Sequence, residues 1–330
     1  MAKVSDIGER MLIQRVMRHL TRMPNMPLPF WDDASALHVG DGRVAVINTD
    51  MLVWSTDVPV GMTPFQAARK TVVMNISDLA AKGVKPLIFM PSVGIPADYL
   101  VSDMEDIARG FESGSREYDT YVVGGDTNEA CDMIISGVAI GLTEENKLML
   151  RSGGSKPGDI LATTGLFGLT SCGFKHLLEG YELPSELKSE VLNSIYMPSA
   201  RVAEGLTLAD TGIVTSCIDS SDGLAVSLYD LSRSTGLGYI LNDVPIHPAV
   251  KLFAKVNNLN PVDLALYGGE EYELVFTFNP ENVTVVSDAL SRVGCNLIII
   301  GEVVSEKRVL LQHEGIIDEV KPKGWEHFIN

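Results

Sequence analysis

Five aspartate-bearing segments concentrate the chemistry that this sequence could perform. They read Trp31-Asp32-Asp33-Ala34, Asn48-Thr49-Asp50, Asn75-Ile76-Ser77-Asp78, Gly124-Gly125-Asp126-Thr127 and Cys217-Ile218-Asp219-Ser220-Ser221-Asp222-Gly223. In each, the carboxylate stands against apolar sequence and not on a polar helical face. Taken singly, such residues have ordinary explanations. An Asp before a helix is commonly an N-cap, worth about 1 kcal/mol, and an Asp after a strand commonly forms a turn. For Asp222 capping and ligation both remain open. Asp78 is different, because an interior helical position among Met74, Leu79, Ala80 and Ala81 gains nothing from capping. If several of these carboxylates converge, repulsion and lost hydration demand countercharge. The basic residues close in sequence are few, with Arg69, Lys70 and Lys82 flanking one segment only. Divalent cations are the natural solution, and oxygen ligands without His or Cys favour magnesium over zinc.

Magnesium held by carboxylates points to a phosphate substrate, since the ion keeps positions open for phosphate oxygens. Two phosphate-handling designs are absent from the sequence: there is no GxxxxGK[ST] loop and no HRD…DFG set. What is left is a site of metals and glycine-rich turns, such as GGDT and SSDG, whose backbone amides can face anions. Asp126 would then hold a metal, and Gly124-Gly125 would let phosphate approach the backbone.

The elements that must position these residues alternate between apolar runs and helical periods, which indicates an α/β or α+β protein. RVAVIN (Arg43 to Asn48) reads as a strand ending at Thr49-Asp50. Pro64 to Lys82 has helical spacing, with Phe65, Ala68, Val72, Ile76 and Leu79 on one face. Strands follow at 86–93, 120–123 and 133–142, with a helix over 98–118 between the first two. Gly-rich RSGGSKPGD (Arg151 to Asp159) interrupts this pattern and turns into a new strand, ILATT. The boundary between domains of residues 1–150 and 151–330 is placed there, and 330 residues are more than one core usually serves. The second half offers strands at 213–219, 272–278, 296–304 and 309–312, with helices after Gly223 and up to Arg292. The N-terminal twenty residues read as an amphipathic helix with Ser5 as its cap, and they lack the features of a signal peptide.

The net charge of −17 speaks against a general nucleic-acid binder. No run of eighteen apolar residues suggests a membrane span. The scattered cysteines Cys131, Cys172, Cys217 and Cys295 read as small buried hydrophobes in a reducing cytoplasm.

The order WDD…NTD…NISDLAAKG…GGDT…RSGGSKPGD…IDSSDGL…GGEEYEL…KGWEHF resembles thiamine-monophosphate kinase, a family within the ATP-binding superfamily that includes aminoimidazole ribonucleotide synthetase. The resemblance runs from Asp6 to Phe328. NISDLAAKG and GGDT recur across the superfamily, whereas GGEEYEL with KGWEHF is more specific to the kinase. It implies phosphoryl transfer from ATP to thiamine monophosphate, with no phosphoenzyme, as the last step of thiamine diphosphate biosynthesis. It also implies a homodimer, with an N-terminal α/β domain contributing to a dimeric barrel and a C-terminal α+β domain covering the active site. Asp33, Thr49, Asp50, Asp78, Asp126, Asp219 and Asp222 would ligate magnesium, with Asn48 lending its side chain or carbonyl. Gly125, Arg151 and Ser221 would contact ATP. Glu270 and Trp325 would bind the thiamine moiety, and Asp57 stands where bacterial members carry a substrate-contacting His. The residues agree with that chemistry: a phosphate acceptor needs charge neutralisation more than a general base, and an indole with a nearby carboxylate suits a cationic ring.

The sequence also departs from the family pattern. Trp31 replaces the Gly before the Asp pair, GGED has become Gly268-Gly269-Glu270-Glu271, and Asp57 replaces His. Two rival readings stand beside the kinase: a sister synthetase that phosphorylates an amide oxygen, and a non-catalytic nucleotide- or magnesium-binding protein. The N-terminal Gly/Lys-rich segment or catalytic Cys typical of the synthetases is not found before Asp32.

Overall fold

The computed structural model describes residues 3–313 and 315–328. Helix α1 (Gly8–Met17) follows a 3-10 turn at Val4–Asp6. Ser5 lies inside that turn and does not cap the helix, whose N-cap position is Ile7. Strands β1 (Ser35–Gly40) and β2 (Arg43–Val53) form a hairpin, and a four-residue helix α2 (Trp54–Asp57) follows. Helix α3 (Pro64–Ala81) begins with a capping box: Thr63 Oγ1 accepts from the Gln66 amide at 3.3 Å and Gln66 Oε1 accepts from the Thr63 amide at 2.9 Å. Pro64 at the first helical position fixes φ where no amide is needed. Next come β3 (Pro86–Ile95), α4 (Val101–Glu117), β4 (Tyr121–Val122), β5 (Asp126–Glu129) and β6 (Ile134–Glu144). The first sheet runs β1-β2-β6-β3-β4, with β5 also paired to β3.

Two expectations about strand ends are corrected. β2 does not stop at Asp50 but continues to Val53, because Met51, Leu52 and Val53 pair with Ser136, Ile135 and Ile134 of β6. Asp50 is therefore a mid-strand residue. Asp126 does not end a strand either: β4 ends at Val122, the Gly pair breaks it, and Asp126 opens β5. Gly125 is required there by packing, since a Cβ would stand 2.6 Å from the Pro91 carbonyl oxygen.

One face of the first sheet carries α3 and α4. Ala68, Val72, Val73, Ile76 and Leu79 of α3 share a core with Val44, Val46, Phe89 and Ile135 of the strands. On the opposite face Leu37, Val39, Met51, Met90 and Tyr121 are exposed.

After Arg151 come β7 (Ile160–Thr163), α5 (Leu169–Glu179), α6 (Lys188–Tyr196), α7 (Val202–Thr211), β8 (Val214–Asp219), α8 (Leu224–Thr235) and β9 (Gly238–Leu241). Helices α9 (Pro248–Asn257) and α10 (Pro261–Tyr267), β10 (Leu274–Phe278), α11 (Val283–Arg292), β11 (Ile298–Val304), β12 (Val309–His313) and β13 (Ile316–Glu319) complete the chain. The second sheet runs β13-β12-β9-β11-β7-β10-β8. Sequence reading located most of these strands but not β9 or β13, nor helices α5, α6, α7, α9 and α10. The two halves are closely joined, because α7 packs on α3 and α3 also touches β8. Of the cysteines, Cys172, Cys217 and Cys295 are buried as expected, whereas Cys131 is exposed.

Candidate active site

The middle of β2, the last turn of α3, the 31–33 turn and the end of β8 come together here. Carboxylate oxygens of Asp33, Asp78 and Asp219 lie within 4.8 Å of one another. Asp50 joins them through Asn48, whose amide Nδ2 donates to Asp50 Oδ2 at 3.2 Å and, over a short distance, to Asp78 Oδ2. Alternation along β2 puts Asn48 and Asp50 on the α3 side. Gly137 lies opposite Asp50 in β6, and α3 comes so close there that a Cβ would meet Asn75 Nδ2 at 2.5 Å. That approach lets Asn75 Oδ1 accept from the Asp50 amide at 3.0 Å. Ser77 Oγ, one residue before Asp78, donates to Asp219 Oδ2 at 2.7 Å.

Two cations answer this charge. Arg151 Nε donates to Asp33 Oδ1 at 2.8 Å, and its backbone amide donates to Asp32 Oδ2 at 3.1 Å. Lys82, at the C-terminal cap of α3, donates to Asp32 Oδ1 at 2.5 Å and to the Cys217 carbonyl at 3.1 Å. The net effect differs from one carboxylate to the next. At Asp33, burial favours the neutral acid, but Arg151 and Lys82 outweigh it and hold the group below its usual range. Asp219 is pushed up to about 7, first by burial and then by the charge of Asp33. Asp50 is also raised by burial, and Asp78 is raised well above normal by burial and by Asp219, Asp50 and Asp33. Asp33 Oδ2 is buried with no aligned hydrogen-bond donor. Three carboxylates converging within 4.8 Å, in an all-oxygen donor set, fit a hard divalent cation.

The remaining expected residues fall into three groups. Asp222 is raised to about 6 by burial and by the Glu9 carboxylate. Its carbonyl accepts from the Trp325 amide at 3.1 Å, which seats the KGWEHF segment beside the Ser221-Asp222-Gly223 turn. Trp325 itself is exposed, with its ring edge-on to His327. Ser221 is exposed, and its carbonyl accepts from the Glu270 amide at 2.5 Å. Thr49 and Asp126 are not brought to the Asp33–Asp78–Asp219 cluster. Thr49 is exposed on the uncovered face of the sheet. Asp126 is exposed on β5, where register runs from Met51 through Ser136 and Ser92 to Asp126. Three strand spacings, roughly 14 Å, separate those backbones.

Glu270 adopts a left-handed backbone at φ 66, followed by Tyr272 at φ 54. Its Oε1 lies 2.5 Å from Lys70 Nζ, and its Oε2 is buried without a partner. Lys70, fully buried in α3, also reaches the Asp57 carbonyl at 3.3 Å. The Asp57 carboxylate is engaged locally, accepting from the Val53 amide at 2.8 Å. Sequence reading noted Lys70 and Lys82 as neighbours but gave them no partner. For Lys82 the available signal was its i, i+4 relation to Asp78 on one helix. Lys70 pairs 200 residues away, which no local pattern reports.

The departures at Trp31 and Glu271 also find local reasons. Trp31 keeps the positive φ that a Gly would supply, at 75°, and its carbonyl accepts from Arg151 Nη1 at 2.7 Å. The longer arm of Glu271 reaches the start of α5, where Oε1 accepts from the Gly168 amide at 2.6 Å and Thr170 Oγ1 at 2.9 Å. Burial raises Glu271 to about 7, with Glu273 adding to the shift. A carboxyl whose folded value exceeds its unfolded value near 4.5 stabilises the fold at low pH and loses that contribution as pH rises through about 7. Glu271→Gln should therefore raise the melting temperature at pH 8, by up to about 3 kcal/mol in stability, and leave it nearly unchanged at pH 4. Equal effects at both pH values in a thermal melt would refute the assignment.

Comparison with known proteins agrees with this construction. Residues 31–143 match the AIR synthase related protein N-terminal domain, and residues 156–314 match the corresponding C-terminal domain. A thiamine-monophosphate kinase of Pyrococcus horikoshii is 37% identical over 298 residues, covering 90% of each chain. One from Pyrococcus abyssi is 35% identical over 326 residues, covering 98% of this chain and 97% of its own. The solved structure of AaThiL complexed with AMPPCP and TMP superposes with a TM-score of 0.86 at 24% identity, covering 99% of each chain, which shows a common fold. Two matched domains, spanned by relatives at this level of identity, establish that the chain belongs to the thiamine-monophosphate kinase family of AIR synthase related proteins.

Proposed function

We propose that the protein transfers the γ-phosphoryl group of ATP directly to the phosphate of thiamine monophosphate, giving thiamine diphosphate and ADP. The observation that carries this reading is the convergence of Asp33, Asp78 and Asp219 from three separate elements, with Lys70, on the same helix α3 as Asp78, paired to Glu270. Magnesium, held by Asp33, Asn48, Asp50, Asp78, Asp219 and Asp222, would supply the charge neutralisation that lets two phosphate groups approach. Thr49 would contribute through its backbone. Asp126, with Gly125 beside it, would serve the outer, nucleotide-side end of the site.

The chain's own residues do the rest. Arg151 and Ser221 bind and orient the nucleotide phosphates. Glu270 and Trp325 hold the cationic ring of the acceptor by charge and stacking, with Asp57 bordering the same pocket. No side chain need remove a proton, because the attacking phosphate oxygen is ionised near neutral pH. The two sheets are read as two domains meeting at Arg151. The uncovered apolar face with Leu37, Val39, Met51 and Met90 supports a homodimer built by that sheet. A cytoplasmic location accords with a biosynthetic role; among the described residues no helix is long and apolar enough to cross a membrane.

The test is ADP release from ATP and magnesium, with and without thiamine monophosphate, beside an Asp126→Asn variant. Acceptor-dependent turnover that collapses in the variant is expected. ADP release indifferent to the acceptor, or supported instead by formylglycinamidine ribonucleotide, would move the protein to the sister synthetases. Nucleotide binding with no turnover would make it a sensor.

A further inference from the structure

Lys82 is fully buried, as are the side chains of both carboxylates it meets. Its Nζ lies 2.5 Å from Asp32 Oδ1, 2.6 Å from Asp33 Oδ2 and 3.1 Å from the Cys217 carbonyl. The contact with Asp33 is one of charge alone, since Oδ2 receives no aligned hydrogen bond. Asp32 then passes the connection on: its Oδ2 accepts from the Arg151 amide, while the Arg151 side chain returns to Asp33. A closed ring thus joins the end of α3, the 31–33 turn, the Arg151 junction and β8. An unpaired buried ammonium is costly. Here the two carboxylates hold it charged, and its value is raised above the ordinary lysine range.

From this ring we infer that Lys82 is a positioning residue of the phosphoryl-transfer site, a permanent cation that neutralises Asp32 and fixes Asp33, standing where a divalent ion would otherwise be needed. The inference rests on reading the aspartate cluster as a metal site. It explains why Asp32, though equally buried, is left out of the cluster of three converging carboxylates.

The experiment uses the full chain without nucleotide. Melting temperatures are read in chelator and in excess magnesium, and bound Mn2+ is counted by electron paramagnetic resonance. Lys82→Met keeps length and removes charge. In chelator it should melt roughly 10 °C below wild type, as expected for a buried pair deprived of one partner. Excess magnesium should restore most of that loss, and the variant should hold one more Mn2+ per chain than wild type. A loss that magnesium leaves untouched, with an unchanged Mn2+ count, would make Lys82 a structural tie only and overturn the inference. Should Lys82→Met not fold, Asp32→Asn tests the same point. With the ammonium left to Asp33 alone, Mn2+ affinity should fall about tenfold by charge repulsion, and unchanged affinity would overturn the inference. If wild type itself binds no Mn2+ and gains nothing from magnesium, the metal reading fails and this inference fails with it.

Discussion

Asp78→Asn should abolish phosphoryl transfer and, in the absence of metal, make the protein more stable. The two effects have opposite signs for one reason. Asp78 sits in the last turn of α3 among buried apolar residues, and its neighbours in space include three more carboxylates, Asp219, Asp50 and Asp33. The Asn48 amide and the Arg151 charge favour its ionised form, but burial and repulsion outweigh them and raise it well above the ordinary value. A group raised in this way stabilises the folded chain only while protonated, and that contribution is lost as pH rises. The amide removes this cost and keeps the shape. The chelator-treated variant should therefore melt higher than wild type at pH 8, with a smaller gap at pH 5. Turnover should fall at least ~10³-fold, since the charge that assembles cations against two phosphates is gone. Activity within tenfold of wild type, or a lower melting temperature in chelator at pH 8, would remove Asp78 from the centre of the site.

That trade of stability for function is also what made the site legible in sequence. A carboxylate inside an apolar helical repeat contradicts its surroundings, and such contradictions mark functional positions. Asp78 was singled out on that ground, Asp33 and Asp219 as carboxylates set against apolar sequence at a turn and a strand end, and the structure brings the three carboxylates together. The sheet-and-helix alternation was legible for the same reason, as local periodicity and turn chemistry. Partners distant in sequence were not. Lys82 reaches Asp32 across 50 residues and Lys70 reaches Glu270 across 200. Nor did the sequence tell that β2 runs on past Asp50, because Met51-Leu52-Val53 pairs with β6 only once the sheet exists. Asp126 shows the converse limit. Its motif reads as clearly as the others, yet in the single chain it stands on an exposed edge three strands from β2.

Lys70→Met gives the second large effect, confined to the acceptor. Lys70 lies buried on the same helix as Asp78 but serves Glu270, held at φ 66 by the hydrogen bond its amide donates to the Ser221 carbonyl and by the ammonium at 2.5 Å. One oxygen of Glu270 is thus occupied, and the other, buried without a partner, is the one that the proposed function assigns to the acceptor. Removing Lys70 frees the Glu270 rotamer and leaves a largely buried charge unpaired, at a cost of about 3 kcal/mol in stability. The KM for thiamine monophosphate should rise roughly 30-fold, the equivalent of about 2 kcal/mol in binding. The KM for ATP should change less than about threefold, because Lys70 touches nothing on the nucleotide side. Glu270→Gln in the same background separates the two consequences. The double variant no longer buries an unpaired charge, so its melting temperature should recover, while the carboxylate needed by a cationic ring is still missing and KM should stay high. Recovery of both would reduce Lys70 to a stabilising residue, and a rise in the KM for ATP equal to that for the acceptor would place Glu270 outside the acceptor pocket.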